Sequence, residues 1–228
     1  MLWGIGIFGW DFVILLPALA LAIFAQYKVS STYNRYATVR TASGTSAQQA
    51  ARRILDSDGV TGVSFERIPG KLKDHYDPRG KILRLCEPDS QSIADVGVAA
   101  HEAGHAIQHA KAYRPLMLRS AVVPVANIGS SLAIPLFIMG FVLRFQPLVT
   151  IGILAFAAAL LFTLITLPVE FNASRRAVAA LRSSGSMNEE EIGAVKEVLS
   201  AAALTYVAAA AMAALQLVML LMAANRRR

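Results

Sequence analysis

The sequence predicts a mainly α-helical membrane protein, with about four transmembrane helices and a small α+β portion that contains a β-hairpin. Of the 228 residues, 55% are hydrophobic and only 16% are charged, whereas soluble domains average about 25% charged residues. Four apolar runs approach or exceed the roughly 20 residues that a spanning helix needs. A polar stretch, residues 28–119, separates the first two runs and carries 14 of the 22 Lys and Arg residues.

The basic balance, a net charge of +7, is compatible with nucleic-acid binding or with a membrane location. In membrane proteins, basic residues concentrate on the cytoplasmic side, so we expect a lipid bilayer and no nucleic acid as partner. The single cysteine, Cys86, excludes an internal disulfide and a Cys-rich metal site.

Residues 1–27 are predicted to form an N-terminal transmembrane helix. Its spanning part is expected at roughly residues 12–27, with the preceding residues at the outer interface of the membrane, where Trp3 and Trp10 are typical. A cleaved signal peptide usually opens with basic residues, and none precedes Lys28. We therefore expect this helix to be retained.

Residues 28–119 are predicted to form a cytoplasmic α+β portion. Ser46 and Gln49 have the spacing of a capping box at the start of a helix, which Gly59 would end. Two strands, near residues 63–68 and 82–85, flank a turn signal at residues 77–80 and predict the hairpin. Another helix, capped by Asp89 or Ser90, is expected to run to about residue 112.

The rest of the chain alternates between apolar and polar segments. Three segments are predicted here: a transmembrane hairpin at 120–169, a cytoplasmic segment at 170–200, and a C-terminal transmembrane or re-entrant helix with a basic tail at 201–228. Within the cytoplasmic segment, Asn188 and the acidic residues after it indicate a helix start.

The segment VGVAAHEAGHAIQHA, residues 96–110, holds three of the four histidines. His101 and His105 are four residues apart on the predicted helix, so they lie on one face, one turn apart. Their imidazole nitrogens can then bind one Zn²⁺ ion, while Glu102 can reach a metal-bound water and act as general base. This His-Glu-x-x-His pattern is typical of metalloproteases. The alternative is a helix with incidental histidines, but the small residues inside the motif favour the metal site.

A catalytic zinc ion usually has three protein ligands and one open position, so a third ligand is needed. His109 lies about 12 Å along the helix axis from His101 and is expected to be only a polar neighbour. Glu170 follows the third apolar run, and the membrane hairpin before it would return the chain to the side of the motif. A carboxylate at a membrane boundary is costly without a partner, and zinc is such a partner. The alternative is an ion pair with Arg175 or Arg176.

These motifs resemble the YugP-type family of membrane zinc metallopeptidases over nearly the whole chain. The resemblance includes AQYKVSSTYNRY after the first span, PGKLKDHYDPR, GVAAHEAGHAIQHA, YRPLMLRSAVVPVANIGS, LPVEFNASRRA and AALTYVAAA. It implies a zincin-like catalytic portion, zinc as cofactor, and peptidase activity on a protein or peptide substrate.

More distantly, the histidine motif, the membrane hairpin and the later Glu are similar to HtpX and the CAAX prenyl proteases. In those proteins the later motif is Glu-x-x-Ala-Asp; Glu170 and Ala173 match its Glu and Ala, but Ser174 stands in place of the Asp. That Asp usually orients a histidine ligand. In this chain Asn172 or Ser174 could do so, with His109 a further polar neighbour.

His75 and Tyr76 lie on or beside the predicted hairpin. A substrate strand could add to the hairpin edge, as in β-augmentation, which would bring these side chains near the oxyanion of the scissile carbonyl. The proteases that the chain resembles have an edge strand before the site helix in similar fashion. The alternative is a turn shaped by Asp74 and Asp77, with His75 in solvent.

The distribution of basic residues predicts the orientation in the membrane. Basic residues flank the spans on the side of the histidine motif, whereas the other side has only Arg144 before the tail. The positive-inside rule puts the site on the cytoplasmic side of the bacterial inner membrane, although the terminal RRR opposes this if all four spans cross.

We therefore expect an integral membrane zinc endopeptidase, gluzincin-like, that acts on membrane or membrane-adjacent proteins. The competing hypothesis is a non-catalytic zinc-binding scaffold, a pseudoprotease. Glu102 favours the enzyme because a structural zinc site has no use for a general base.

Overall fold

The computed structural model describes residues 9–226, and for residues 9–11 it describes the backbone alone. Trp3 and the side chain of Trp10 lie outside the described residues, so their place at an interface stays a prediction. The elements in chain order are a 3-10 helix Gly9–Leu15, α1 Leu16–Ala37, α2 Ala47–Ser57, β1 Ser64–Arg67, β2 His75–Asp77, β3 Ile82–Leu85, α3 Ile93–Ala110, α4 Arg114–Val142, α5 Gln146–Ser183 and α6 Glu189–Asn225.

Four stretches of helix are long and apolar enough to cross a membrane. No more than 28% of the most apolar window of any of them is buried within the protein, which is typical of helices that are apolar all round and face lipid. With the small three-stranded sheet, this confirms the predicted mainly α membrane fold with a small α+β portion. The four stretches are Phe12–Ala37, Arg114–Val142, Gln146–Ser183 and Glu189–Asn225.

The helices extend beyond the apolar runs that mark them in the sequence. α5 continues through residues 170–183, and α6 begins at Glu189, so most of the predicted polar segment 170–200 consists of helix ends. Asn188 caps α6 as predicted: its side-chain oxygen accepts from Glu191 N (2.9 Å), and the Glu191 carboxylate accepts from Asn188 N (2.8 Å). Helices outlast apolar runs because backbone hydrogen bonds, unlike lipid contact, do not require apolar side chains.

The described chain forms two compact units. The apolar unit contains residues 118–167, with the chain up to residue 25 and from residue 205 onward. The polar unit contains residues 26–117 and 168–204. The domain boundaries expected from the sequence stay predictions.

Close packing of α4 against α5 organises the apolar unit. A Cβ atom added at Gly140 would lie 2.6 Å from Val149 N, and one added at Gly152 would lie 2.7 Å from Phe137 N. Such contacts through small residues are typical of helix pairs in membranes, where packing rather than apolar burial holds helices together.

The core of the polar unit forms between α2, α3, β3 and the parts of α5 and α6 that belong to this unit. The predicted capping box starts α2: Gln49 N donates to Ser46 Oγ (3.3 Å), and Ser46 N donates to Gln49 Oε1 (3.1 Å). α2 then buries one face at helical spacing. The large, almost fully buried side chains of this core are Ile54, Leu55, Leu83, Leu85, Val96, Ile107, Leu181 and Ile192.

The sheet has three strands in the order β1-β3-β2, with β1 parallel and β2 antiparallel to β3. The hairpin is present, but its first strand is His75–Asp77 rather than the predicted residues 63–68, which form the parallel strand β1 on the other side. The predicted turn is present, because Asp77 Oδ1 accepts from Arg79 N (2.9 Å) and Gly80 N (3.4 Å). A short turn pairs the residues directly beside it, so His75–Asp77 pair with β3. The sequence favoured residues 63–68 as the first strand of the hairpin because their pattern is more apolar.

α3 carries the histidine motif, and Ser92 caps it rather than the predicted Asp89 or Ser90. The Ser92 hydroxyl accepts from Asp95 N at 3.1 Å and donates to the Asp95 carboxylate at 2.7 Å. Asp95, in the first turn of α3, therefore binds the capping residue through both its backbone and its side chain. Ser90 instead supports the cap, since its hydroxyl accepts from Ser92 N at 3.2 Å.

Candidate metal centre

Two helices of the polar unit bring three potential metal ligands together. His101 and His105 lie one turn apart on α3, and Glu170 projects from α5. The Glu170 Oε2 atom lies 3.2 Å from His101 Nε2 and 3.4 Å from His105 Nε2. The Glu170 side chain is only 3% exposed, so this carboxylate is buried beside two imidazole nitrogens.

The close approach of α3 and α5 depends on small residues. Gly104, between the two histidines, faces Ala173 of α5, and a Cβ atom at residue 104 would lie 2.7 Å from the Ala173 carbonyl oxygen. Ala103 and Ala173 are both fully buried. The small residues inside the motif therefore have a structural role, since they let Glu170 reach both histidines.

The three side chains fit a zinc ion. Their ligand atoms all lie within 4.8 Å of one another, and within residues 9–226 no other group of three or more His, Cys, Asp or Glu side chains meets this condition. Imidazole nitrogen and carboxylate oxygen are ordinary zinc ligands, and three protein ligands leave the fourth position that a catalytic site keeps open.

Carboxylates around His105 make the site electronegative. Burial opposes a positive charge on this imidazole, but the hydrogen bond to Glu170 and the charge of Glu102 outweigh it and raise the pKa of His105. The same negative potential would attract a divalent cation.

Each histidine has a partner at its second nitrogen. His101 Nδ1 lies 3.1 Å from Ser174 Oγ, and His105 Nδ1 lies 2.9 Å from Gln108 Oε1. Ser174, one of the two residues expected to orient a histidine, thus contacts His101, while Asn172 contacts Gln108 instead, at 3.0 Å.

The sequence motifs did not indicate Gln108 as a partner of a histidine. A signal was available, because a polar residue three positions after His105 lies on the same helix face.

Glu102 lies outside the ligand group although it sits beside His101 in the chain. Its Oε2 atom accepts a hydrogen bond from Tyr76 N, at 2.9 Å. Burial raises the pKa of Glu102 above the usual value of a glutamate, and the neighbouring His105 and His101 partly offset this shift. A buried carboxyl with a raised pKa is a better proton acceptor than an exposed one once it is ionised.

The remaining candidates, His109, Tyr76 and His75, lie around this centre. His109 is exposed, and its Nδ1 lies 3.0 Å from the Tyr76 hydroxyl, so it is a polar neighbour of β2 rather than a member of the ligand group. Burial, and then the charge of Asp77, raise the pKa of Tyr76, so its hydroxyl keeps its proton at neutral pH. His75 contacts the Lys73 carbonyl (2.9 Å) and Arg84 (3.4 Å).

Comparison with known proteins assigns the chain to a family. Residues 11–225 match a family model described as "Putative neutral zinc metallopeptidase". The chain belongs to this family of zinc metallopeptidases. It is also 46% identical over 209 residues to the "Putative membrane protease YugP" of Bacillus subtilis (strain 168), a match that covers 91% of this chain and 93% of the relative. No solved structure matches the chain.

For a zinc metallopeptidase, the cluster on α3 and α5 is the place where the cofactor fits. The metal is zinc by family, and His101, His105 and Glu170 are the described side chains whose geometry could hold it. The four apolar helices and the membrane protease relative agree that this is a membrane protein.

Proposed function

We propose that the chain is an integral membrane zinc endopeptidase of the His-Glu-x-x-His, gluzincin-like type. His101, His105 and Glu170 would hold the zinc ion, and Glu102 would be the general base. The observation that carries this proposal is the position of Glu102: its carboxylate accepts a hydrogen bond from a backbone N–H and falls outside the group of three side chains that could hold a metal. A purely structural zinc site would have no use for it.

Zinc, when bound, supplies a Lewis acid that polarises a carbonyl and lowers the pKa of water to about 7. Glu102 takes a proton from the attacking water at a carboxylate oxygen and returns it to the leaving amine nitrogen. The bond from Tyr76 N occupies Oε2 and leaves Oε1 for this proton. His101 and His105 stay in place because Ser174 and Gln108 bind their second nitrogens.

A protein or peptide substrate would bind along β2, which is an edge strand of the sheet. An extended peptide added at this edge lies beside Glu102, since Tyr76 N already reaches that carboxylate. The Tyr76 hydroxyl and His75 are the two candidates for the substrate oxyanion: the hydroxyl contacts His109 at 3.0 Å, and His75 contacts Lys73 and Arg84.

The substrates would be membrane or membrane-adjacent proteins, reached from the cytoplasmic side of the bacterial inner membrane. Glu170 lies on the same continuous helix as the apolar run before it, which supports a site close to the membrane. The excess of basic residues around the histidine-motif side supports the cytoplasmic orientation.

The test compares Glu102→Gln with wild type and with Glu87→Gln, a matched change at an exposed glutamate. Full-length protein in detergent is assayed for zinc content and for cleavage of a panel of membrane proteins. We expect all three proteins to bind zinc equally and Glu102→Gln to lose about 10²–10⁴-fold in cleavage rate. Equal cleavage by Glu102→Gln and wild type would exclude the mechanism, and zinc binding without cleavage by wild type would indicate the scaffold instead.

A further inference from the structure

Gln108 has hydrogen bonds on both atoms of its amide group. It is fully buried in α3, at 0% exposed. Its Oε1 atom lies 2.9 Å from His105 Nδ1. Its Nε2 atom lies 2.8 Å from the Val169 carbonyl oxygen and 3.0 Å from Asn172 Oδ1. Three contacts to two different elements hold the side chain in one position.

The direction of these bonds follows from groups that have only one hydrogen-bonding role. A backbone carbonyl only accepts, so the Gln108 atom that faces Val169 must be the amide nitrogen. Arg176 Nε lies 2.8 Å from the Asn172 oxygen, and a guanidinium only donates. The Asn172 atom between Arg176 and Gln108 must therefore be its oxygen, which again requires the nitrogen of Gln108.

These constraints determine where His105 carries its hydrogen. With its nitrogen turned toward α5, Gln108 presents its oxygen to His105 Nδ1, and an amide oxygen only accepts. Nδ1 must then be the N–H of the imidazole. The neutral ring has one N–H, so Nε2 presents a lone pair on the side of Glu170, 3.4 Å from its Oε2 atom.

His101 has no such constraint. Its partner is the Ser174 hydroxyl, at 3.1 Å, which can rotate and either donate or accept. The two histidines of the motif are thus held differently, one by an amide of fixed direction and one by an adaptable hydroxyl.

We propose that Gln108 is a positioning residue that holds His105 in the Nδ1–H tautomer, and that the Val169 carbonyl and the Arg176–Asn172 pair set its direction. The inference rests on the proposed function, in which His105 Nε2 is a zinc ligand. Acceptors at the second nitrogen of a ligand histidine fix its tautomer and ring orientation, and their removal typically lowers metal affinity 10–100-fold. Here the acceptor is itself held by α5, the helix that supplies Glu170.

The first experiment measures Zn²⁺ and Co²⁺ affinity of the full-length protein in detergent, by competition with a chelator. Gln108→Met keeps the volume but removes the acceptor, and about a 10–100-fold loss is expected. Gln108→Glu is the rescue variant: its buried carboxyl is protonated, because an ionised one would face two acceptor oxygens, so it donates to the Val169 carbonyl oxygen while its other oxygen accepts from His105 Nδ1, and its loss of affinity should be well below the about 10–100-fold expected for Gln108→Met. Equal losses in both variants would overturn the proposal.

Arg176→Met, paired with Arg175→Met at the exposed neighbour, tests the outer part of the network. Arg176→Met should lower metal affinity by less than the about 10–100-fold expected for Gln108→Met, since the Val169 carbonyl still directs Gln108, while Arg175→Met should leave it unchanged. Arg175 is exposed and Arg176 is partly exposed, so neither substitution changes a buried side chain of α5 and both variants should fold. Identical metal affinities of the two variants would show that Arg176 does not help to direct Gln108.

The second experiment reads the tautomer directly from imidazole ¹⁵N spectra of metal-free protein, assigned with single histidine variants. In wild type His105 Nδ1 should carry a hydrogen whether the ring is neutral or charged, since only the charged ring has a second one on Nε2; in Gln108→Met the hydrogen of the neutral ring should move to Nε2, beside Glu170. A wild-type hydrogen on Nε2 alone overturns the proposal, whatever the metal affinities. This readout needs no bound metal, so failure of wild type to bind zinc would count against the proposed function and not against the tautomer.

Discussion

At the scale of single residues, the motif and its third partner differ in how they can be found. His101, Glu102 and His105 are recognised by spacing alone, because four residues make about one helical turn. Glu170 is 65 positions further on, and its place after an apolar run, together with a resemblance to a later family motif, pointed to it. The structure brings its carboxylate within 3.4 Å of both histidines.

Glu170→Gln should lower zinc affinity by about 10–100-fold or more, because the loss of a ligand costs at least as much as the loss of a residue that orients one. The amide keeps the size of the side chain but removes the charge that faces two imidazoles. Zinc content after dialysis of the full-length protein is the measurement, with Glu87→Gln again as control. Unchanged zinc content would exclude Glu170 as a ligand.

The residues that orient the histidines show the limit of prediction at this scale. Ser174 and Asn172 were candidates because they follow Glu170, and the structure separates them: Ser174 contacts His101, while Asn172 contacts Gln108. The spacing of three positions places Gln108 on the same helix face as His105, but only the two acceptors that α5 supplies decide which atom of its amide faces the imidazole.

At the scale of elements, helix contact through glycine decides whether the site can form. Gly104 touches the backbone of Ala173, and an added Cβ would lie 2.7 Å from its carbonyl oxygen. Backbone atoms cannot move aside as a flexible side chain can, so α3 and α5 would have to separate. Glu170 would then move away from the histidines.

Gly104→Ala should therefore lower the free energy of unfolding by about 1–3 kcal/mol and weaken zinc binding. Gly193→Ala is the matched control: Gly193 lies exposed in α6 with nothing within 4 Å of an added Cβ, and alanine there should stabilise the helix by about 0.5–1 kcal/mol. Thermal unfolding in detergent and chelator competition are the measurements. Equal behaviour of the two variants would show that the close approach is not required.

Strand pairing was the element-level prediction that needed correction. The apolar pattern indicated strands at residues 63–68 and 82–85, and strands form at both places. The pattern does not indicate direction, and β1 lies parallel to β3 rather than across the hairpin. β2, short and mostly polar, was hidden in the sequence although its backbone contacts Glu102.

At the scale of the whole molecule, the distribution of basic residues predicts the orientation in the membrane. Ten basic residues flank the spans on the side of the histidine motif, against Arg144 on the other. The terminal RRR opposes this orientation if all four helices cross, but the earlier charges are more numerous. The ten are Lys28, Arg35, Arg40, Lys111, Arg114, Arg119, Arg175, Arg176, Arg182 and Lys196.

Cysteine labelling can decide the orientation, because Cys86 is the only cysteine and Cys86→Ser gives a clean background. In that background, Arg144→Cys should react with a membrane-impermeant maleimide in intact cells. Lys71→Cys, at an exposed position of the polar unit, should react only after the cells are made permeable. The reverse pattern would place the histidine motif on the outer side.

The sequence by itself determined the fold class, the starts of α2 and α6, and the helix with two histidines and a glutamate. These features depend on composition, on helical or strand periodicity and on contacts between residues three or four positions apart. Only the tertiary structure decided the strand order, the distance of Glu170 from the histidines, and which side chain faces each second imidazole nitrogen. The contacts of Glu102 with Tyr76, of Glu170 with the histidines and of Ser174 with His101 join residues 26 to 73 positions apart, and no local pattern encodes which of many polar groups will meet once the helices pack.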